Sequence, residues 1–423
     1  MNEARRRFIR AGAHALVTMP IAGAVAGAIG GCANVPAATT ARASASAAST
    51  SAPTVSRAAQ AGPANAAAGY GRLLILVELK GGNDGLNTLV PFADPTYYAL
   101  RPKLAIARDA VLPLSDRCGL HPALQPLLEF WNRRELAVLQ GVGYPAPNLS
   151  HFRSIEIWDT ASRSDQYLPT GWLTRTFSAA PPPRDYAADG FVIGSYDLGP
   201  LDGGARAVTI GDAARFGDRA RSMHALASAG TPALEHILRT ESDIAQAAAQ
   251  LRGDVTLSTH FPVGAFGNAV RTACNAIARA KGVAVVRVTQ NGYDTHANQA
   301  PTQARLHKEL AEGLVALAQG LTELRRWDDT LIVTYAEFGR RPRENLSGGT
   351  DHGTAGVHFA LGGRVAGGLC GAAPALAQLS TDGNLGAAID FRSVYATALE
   401  RWWALDSRNV LGGRFETLPI IRA

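Results

Sequence analysis

The chain is 423 residues long and 47% hydrophobic, with six tryptophans, a composition that excludes a disordered polypeptide. Setting aside Arg5, Arg6, Arg7, Arg10 and Glu3 from the 41 basic and 35 acidic residues reduces the formal charge from +6 to +3. So small and scattered an excess gives no reason to expect nucleic acid as a partner, and past the N-terminus no apolar run is long enough to span a membrane.

Residues 4–10 read Ala-Arg-Arg-Arg-Phe-Ile-Arg, followed by a weakly apolar Ala- and Gly-rich stretch from Ala11 to Gly31. This resembles a twin-arginine export signal over residues 1–31, so the translocase of that route is an expected partner and the periplasm the expected location. Such a route generally carries folded cargo. Ile29-Gly30-Gly31-Cys32 resembles a lipobox. A lipid on Cys32 would be the chain's contact with a membrane; simple cleavage fits the sequence as well. Residues 32–69, rich in Ala, Ser, Thr and Pro, cannot bury a core and read as a tether.

Residues 70–423 read as one α/β domain with an inserted region around 160–260. Leu73 to Leu79 is a near-continuous apolar run ending at Lys80-Gly81-Gly82, the pattern of a central strand buried on both faces. Similar runs span Leu136 to Val142, Val283 to Thr289 and Thr330 to Ala336. Leu306, Leu310, Leu314, Leu317, Leu321 and Leu324, at spacings of three and four, predict a helix leading through Asp328-Asp329 into the last of these strands. Strands alternating with helices predict a mostly parallel central sheet covered on both faces. Cys118, Cys274 and Cys370 match no zinc ribbon or Cys-x-x-Cys spacing; one disulfide and buried free thiols both fit.

In a parallel α/β sheet, ligands gather outside the carboxyl ends of the strands. The segments after the apolar runs are Gly81-Gly82-Asn83-Asp84-Gly85, Asn148-Leu149-Ser150-His151-Phe152-Arg153, Asn291-Gly292-Tyr293-Asp294-Thr295-His296 and Glu337-Phe338-Gly339-Arg340; a further loop holds Gly349-Thr350-Asp351-His352-Gly353. Carboxylates with imidazoles and no thiolates suit a catalytic divalent cation, zinc, manganese or calcium, as one ion or two. Asp84, Asp294, His296, Glu337, Asp351 and His352 are the candidate ligands. Asp84 in Asn-Asp-Gly equally fits a turn, and His121, His151 and His358 read as ordinary packing residues. Ser150, ahead of a short helical pattern, is the candidate nucleophile; as a plain N-cap it would have the same sequence. Arg153 is placed to grip the same anion.

Taken together, Leu79-Lys80-Gly81-Gly82-Asn83-Asp84-Gly85-Leu86-Asn87, Leu120-His121-Pro122, Ser150-His151-Phe152, Gly171-Trp172-Leu173, Tyr293-Asp294-Thr295-His296, Glu337-Phe338-Gly339-Arg340 and Gly349-Thr350-Asp351-His352-Gly353 resemble the bacterial domain-of-unknown-function 1501 family. Tyr293 stands where that family usually shows Trp. The family in turn resembles a branch of the alkaline phosphatase–sulfatase superfamily. That resemblance implies an alkaline phosphatase-like fold, Asp84 and Glu337 on one metal, Asp294, His296 and His352 on another, and Asp351 on either. Two departures stand out: Phe338 replaces a common histidine, and Asp294 and His296 are unusually close in sequence. The Cys-x-Pro-x-Arg signature is absent, which argues against a formylglycine nucleophile. The expected function is an exported metal-dependent hydrolase of phosphate or sulfate esters acting on a small-molecule or glycan anion. The alternative is a non-catalytic metal- or glycan-binding envelope lipoprotein on the same scaffold.

Overall fold

The structure, a computed structural model, describes residues 69–210 and 255–422. The export signal, Cys32 and all but the last residue of the tether lie outside them. The described residues form twelve strands: β1 Leu73–Lys80, β2 Leu89–Val90, β3 Leu112–Pro113, β4 Gly119–Leu120, β5 Leu136–Gly143, β6 Ala188–Ile193, β7 Ala207–Thr209, β8 Val283–Asn291, β9 Thr330–Tyr335, β10 Gly356–Leu361, β11 Gly368–Cys370 and β12 Ile389–Asp390. β2, β4 and β3 make a small separate sheet, and the other nine make the central one.

The central sheet has the order β11-β5-β10-β9-β1-β8-β6-β7, with β12 also on β5. β1 pairs in parallel with β8 and β9, β6 with β8 and β7, and β11 and β12 with β5. β10 alone runs the other way, antiparallel to both β9 and β5. The mostly parallel sheet expected from the alternating pattern is therefore present, and each of the four apolar runs forms one of its strands.

β1 is buried along its length up to Lys80, which explains its near-continuous apolar sequence; the buried Glu78 within it pairs with Arg287 of β8 at 2.8 Å. Leu73, Ile75, Val77 and Leu79 face one layer and Leu74 and Leu76 the other. Five helices matter here: α1 His151–Thr160, α2 Trp172–Ala179, α3 Ala265–Arg279, α4 Gln299–Glu323 and α5 Phe391–Ala396. α3 and α4 cover the first face, with Leu306, Leu310, Leu314, Leu317 and Leu321 buried as their spacing requires. α1, α2 and α5 cover the second, where Trp158 stacks on Phe391 and Trp172 on Tyr395 at 4.4 Å between ring centres in each pair.

Of the region read as an insertion, residues 161–210 contribute α2, β6 and β7, the two strands joining the central sheet, and residues 211–254 lie outside the described residues. Cys118, Cys274 and Cys370 are free thiols, the first two buried. No helix among the described residues is long and apolar enough to cross a membrane.

The strand directions create one shared rim. β1, β5, β8 and β9 all end there, and β10, being reversed, begins there. The segments after four strands and the loop before a fifth are thus delivered to the same edge.

Candidate metal centre

Asp294 stands at the middle of this rim, about half exposed. Its Oδ1 lies 3.1 Å from His296 Nε2 and 3.2 Å from His352 Nε2, and its Oδ2 lies 3.4 Å from His151 Nε2. The two Nε2 atoms of His296 and His352 are 2.9 Å apart. His151, Asp294 and His352 offer ligand atoms that all lie within 4.8 Å of one another.

The other ring nitrogens decide the chemistry. His352 Nδ1 lies 2.8 Å from the carbonyl of Leu149, which can only accept. His151 Nδ1 lies 2.8 Å from Glu337 Oε1 and His296 Nδ1 3.3 Å from Asp351 Oδ1. Each of these partners makes Nδ1 the N–H, so in each neutral ring Nε2 is a lone pair. Three lone pairs and a carboxylate then face one another. Two bare imidazole lone pairs at 2.9 Å repel unless a proton or a metal ion stands between them. Ligands 2.0–2.1 Å from a tetrahedral zinc are about 3.3 Å apart along each edge. The four separations of 2.9 to 3.4 Å straddle that spacing; His151, Asp294 and His352 fit a divalent cation in donor type and mutual distance, and His296 adjoins the last two.

The surroundings hold these groups in place. Glu337 is buried; its Oε1 also accepts from the Gly81 amide at 2.9 Å, while its Oε2 has no partner. Phe338 packs against His151 and His352, at 4.9 and 4.5 Å between ring centres. The fully buried Arg340 is the hub of the rim. It donates to the carbonyls of Gly81, Gly82 (2.9 Å), Tyr293 (3.0 Å) and Thr350 (2.9 Å), and to Asp294 Oδ1 at 2.6 Å. Partial burial would raise the Asp294 pKa, but Arg340 and the neighbouring histidines hold it down at about 2. The hydrogen bond from Asn345, followed by contact with His296, lowers that of Asp351. The Glu337 carboxylate raises that of His151, against its partial burial. Burial lowers that of His352.

A family profile described as "Protein of unknown function (DUF1501)" matches residues 72–413. The chain belongs to that family. No curated protein matches it. Among solved structures, the PsFucS1 sulfatase from Pseudoalteromonas sp. is 10% identical with a TM-score of 0.39, over 82% of this chain and 70% of that one. The phosphonate monoester hydrolase SpPMH from Silicibacter pomeroyi is 11% identical with a TM-score of 0.38, over 81% and 76%. The C-terminal periplasmic domain of EcEptC from Escherichia coli, in complex with zinc, is 9% identical with a TM-score of 0.32, over 69% and 72%.

Of the candidate ligands, the structure gathers Asp294, His296 and His352 face to face. Glu337 and Asp351 stand behind them, each holding a histidine. Asp84 does not join the group: Arg101 holds it bidentately at 2.6 and 2.9 Å, and both side chains are buried. Arg153 does not reach the rim either. It donates to the carbonyls of Arg163, Ser164 and Gln166, pairs with Glu156 at 2.9 Å and lies 3.8 Å above the Tyr167 ring. Its Nη2 is spent on these carbonyls, its Nη1 faces Glu156, and its Nε is buried without a partner. Ser150 is the exposed N-cap of α1, yet its hydroxyl caps nothing. Its neighbours on both sides are engaged at the centre, Leu149 through its carbonyl and His151 through its ring.

Sequence reasoning passed over His151 and gave Arg340 no role. His151 had a signal, since it follows Ser150 directly in a strand-end loop. Arg340 had one too, as the last residue of a strand-end motif that opens with a carboxylate.

Proposed function

We propose that this protein is an exported metal-dependent hydrolase of phosphate or sulfate esters. The observation that carries the reading is the convergence of His151, His296 and His352 through Nε2 on the carboxylate of Asp294. These four side chains would hold a divalent cation, with Glu337, Asp351 and the Leu149 carbonyl orienting the three rings. Such an ion supplies Lewis acidity, lowering the cost of negative charge on the oxygens of a bound ester.

The chain's own residues supply the rest. The open face of the cluster admits a small-molecule or glycan anion. The ten-residue helix α1 points its N-terminus at the rim, where free backbone N–H groups favour an anionic group. The Ser150 hydroxyl, spared from capping, is the nucleophile in this reading. It loses its proton and bonds to phosphorus or sulfur while the ester oxygen leaves and takes up a proton; water then releases phosphate or sulfate from Ser150. With Arg153 committed elsewhere, the negative charge falls to the cation and the helix terminus. The twin-arginine-like segment supports export to the periplasm, and the lipobox-like Cys32 supports a lipid anchor there.

That same commitment of Arg153 favours a second reading, a metal-binding envelope protein without turnover. One experiment separates the two. Metal-loaded protein is assayed with nitrophenyl phosphate and nitrophenyl sulfate beside the Ser150→Ala variant. The hydrolase reading expects release of nitrophenol by the wild type, and a loss of at least about a hundredfold in the variant at unchanged metal content. Metal bound with no turnover of any ester would leave the binding protein as the better account.

A further inference from the structure

We propose that the centre takes one divalent cation and no second one, because Arg101 closes the place that a second ion would need. This rests on the reading of the centre as a metal site. The family likeness assigns Asp84 and Glu337 to a metal of their own, and the arrangement of these two carboxylates disagrees.

A carboxylate has about four acceptor positions. In Asp84 all four are filled by the protein itself. Oδ1 accepts from Arg101 Nη2 at 2.9 Å and from the Leu86 amide at 3.2 Å. Oδ2 accepts from Arg101 Nη1 at 2.6 Å and from Gln299 Nε2 at 2.5 Å. The pair is shut off from water, with side-chain exposures of 0% for Arg101 and 1% for Asp84. A guanidinium does not give up its proton in proteins, so the Asp84 charge is balanced before any metal arrives. Releasing it would leave a buried cation without its counter-charge.

Arg101 has nowhere else to go. Its remaining donors bind the carbonyls of Pro342 at 2.7 Å and Arg341 at 3.0 Å, and the Asn87 side chain at 2.8 Å. Asn87 is fixed in turn by the Tyr97 hydroxyl at 2.7 Å. That leaves Glu337 on its own. One oxygen is taken by His151 and the Gly81 amide, and the other is a single buried atom. Among the described residues, the acid and imidazole atoms that all lie within reach of one ion are those of His151, Asp294 and His352, with His296 Nε2 beside the last two at 3.1 and 2.9 Å; Asp84 is not in the group. A guanidinium therefore occupies the position where a second cation would have balanced Asp84.

The test is metal stoichiometry. The full chain is saturated with zinc, freed of unbound metal by gel filtration, and measured by elemental mass spectrometry against protein concentration. One zinc per chain is expected. Two per chain would overturn this inference while leaving the centre intact, whereas none would remove the metal site on which it rests. A paired substitution, Arg101→Gln with Asp84→Asn, deletes both charges together and should keep one equivalent; Asp294→Asn should lose at least tenfold in occupancy. If the paired variant folds by circular dichroism and yet holds no metal, Asp84 is a ligand and the inference fails. If it does not fold, the wild-type stoichiometry decides alone.

Discussion

An imidazole presents two nitrogens, and the partner of one determines what the other can do. The carboxylate of Glu337 fixes the Nδ1 proton of His151 and turns Nε2 toward Asp294. The sequence places Phe338, not a histidine, after Glu337; His151 comes in from the first turn of α1, its ring tilted against that phenylalanine. The strand-end position of His151 is visible in the sequence, but its partner Glu337 comes from a distant segment and meets it only because β5 and β9 end at one rim. An outer carboxylate of this kind typically contributes ten- to a hundredfold to metal affinity. Glu337→Gln should therefore weaken zinc binding by about that factor in competition with a chelator, with the fold retained. An unchanged affinity would show that Glu337 does not orient His151 in the way described.

The turn after β1 shows how an element enforces the geometry. Gly81 has φ of +118°, its amide binds Glu337 and its carbonyl receives Arg340. A Cβ there would stand 2.3 Å from the Asp294 amide nitrogen. Only glycine permits both the dihedral and the approach. Gly81→Ala should destabilise the protein by about 1–3 kcal/mol or more and lower zinc retention, as read by urea denaturation and metal analysis of the folded fraction. Wild-type values for both would contradict the close contact between the two loops. The strands themselves can be read from sequence where burial on both faces makes them mostly apolar runs, as in β1, β5, β8 and β9. β10 could not. Its sequence, Gly-Val-His-Phe-Ala-Leu, carries a histidine, and nothing local marks it as running against its neighbours. β6 and β7 were hidden in a stretch read as an insertion.

At the scale of the whole molecule, one sheet edge collects residues that are remote along the chain. His151 follows β5, Asp294 and His296 follow β8, Glu337 and Arg340 follow β9, and Asp351 and His352 precede the reversed β10. The rule that ligands gather at the carboxyl ends of parallel strands pointed to this edge from sequence alone. What that rule could not supply was the sorting of roles among the residues found there. Asp84 and Asp294 both follow buried strands and look alike in sequence, yet one is sealed against Arg101 and the other faces three histidines. That difference comes from side-chain partners in other segments, which no local pattern encodes.

The most direct test of the account is X-ray absorption at the zinc edge of metal-loaded protein. A first shell of three imidazole nitrogens at 2.0–2.1 Å with one or two oxygens at similar distance, together with the outer-shell scattering of imidazole rings, is the predicted result. A shell made of oxygen alone, or one containing a single imidazole, would contradict a centre built from His151, His296, His352 and Asp294.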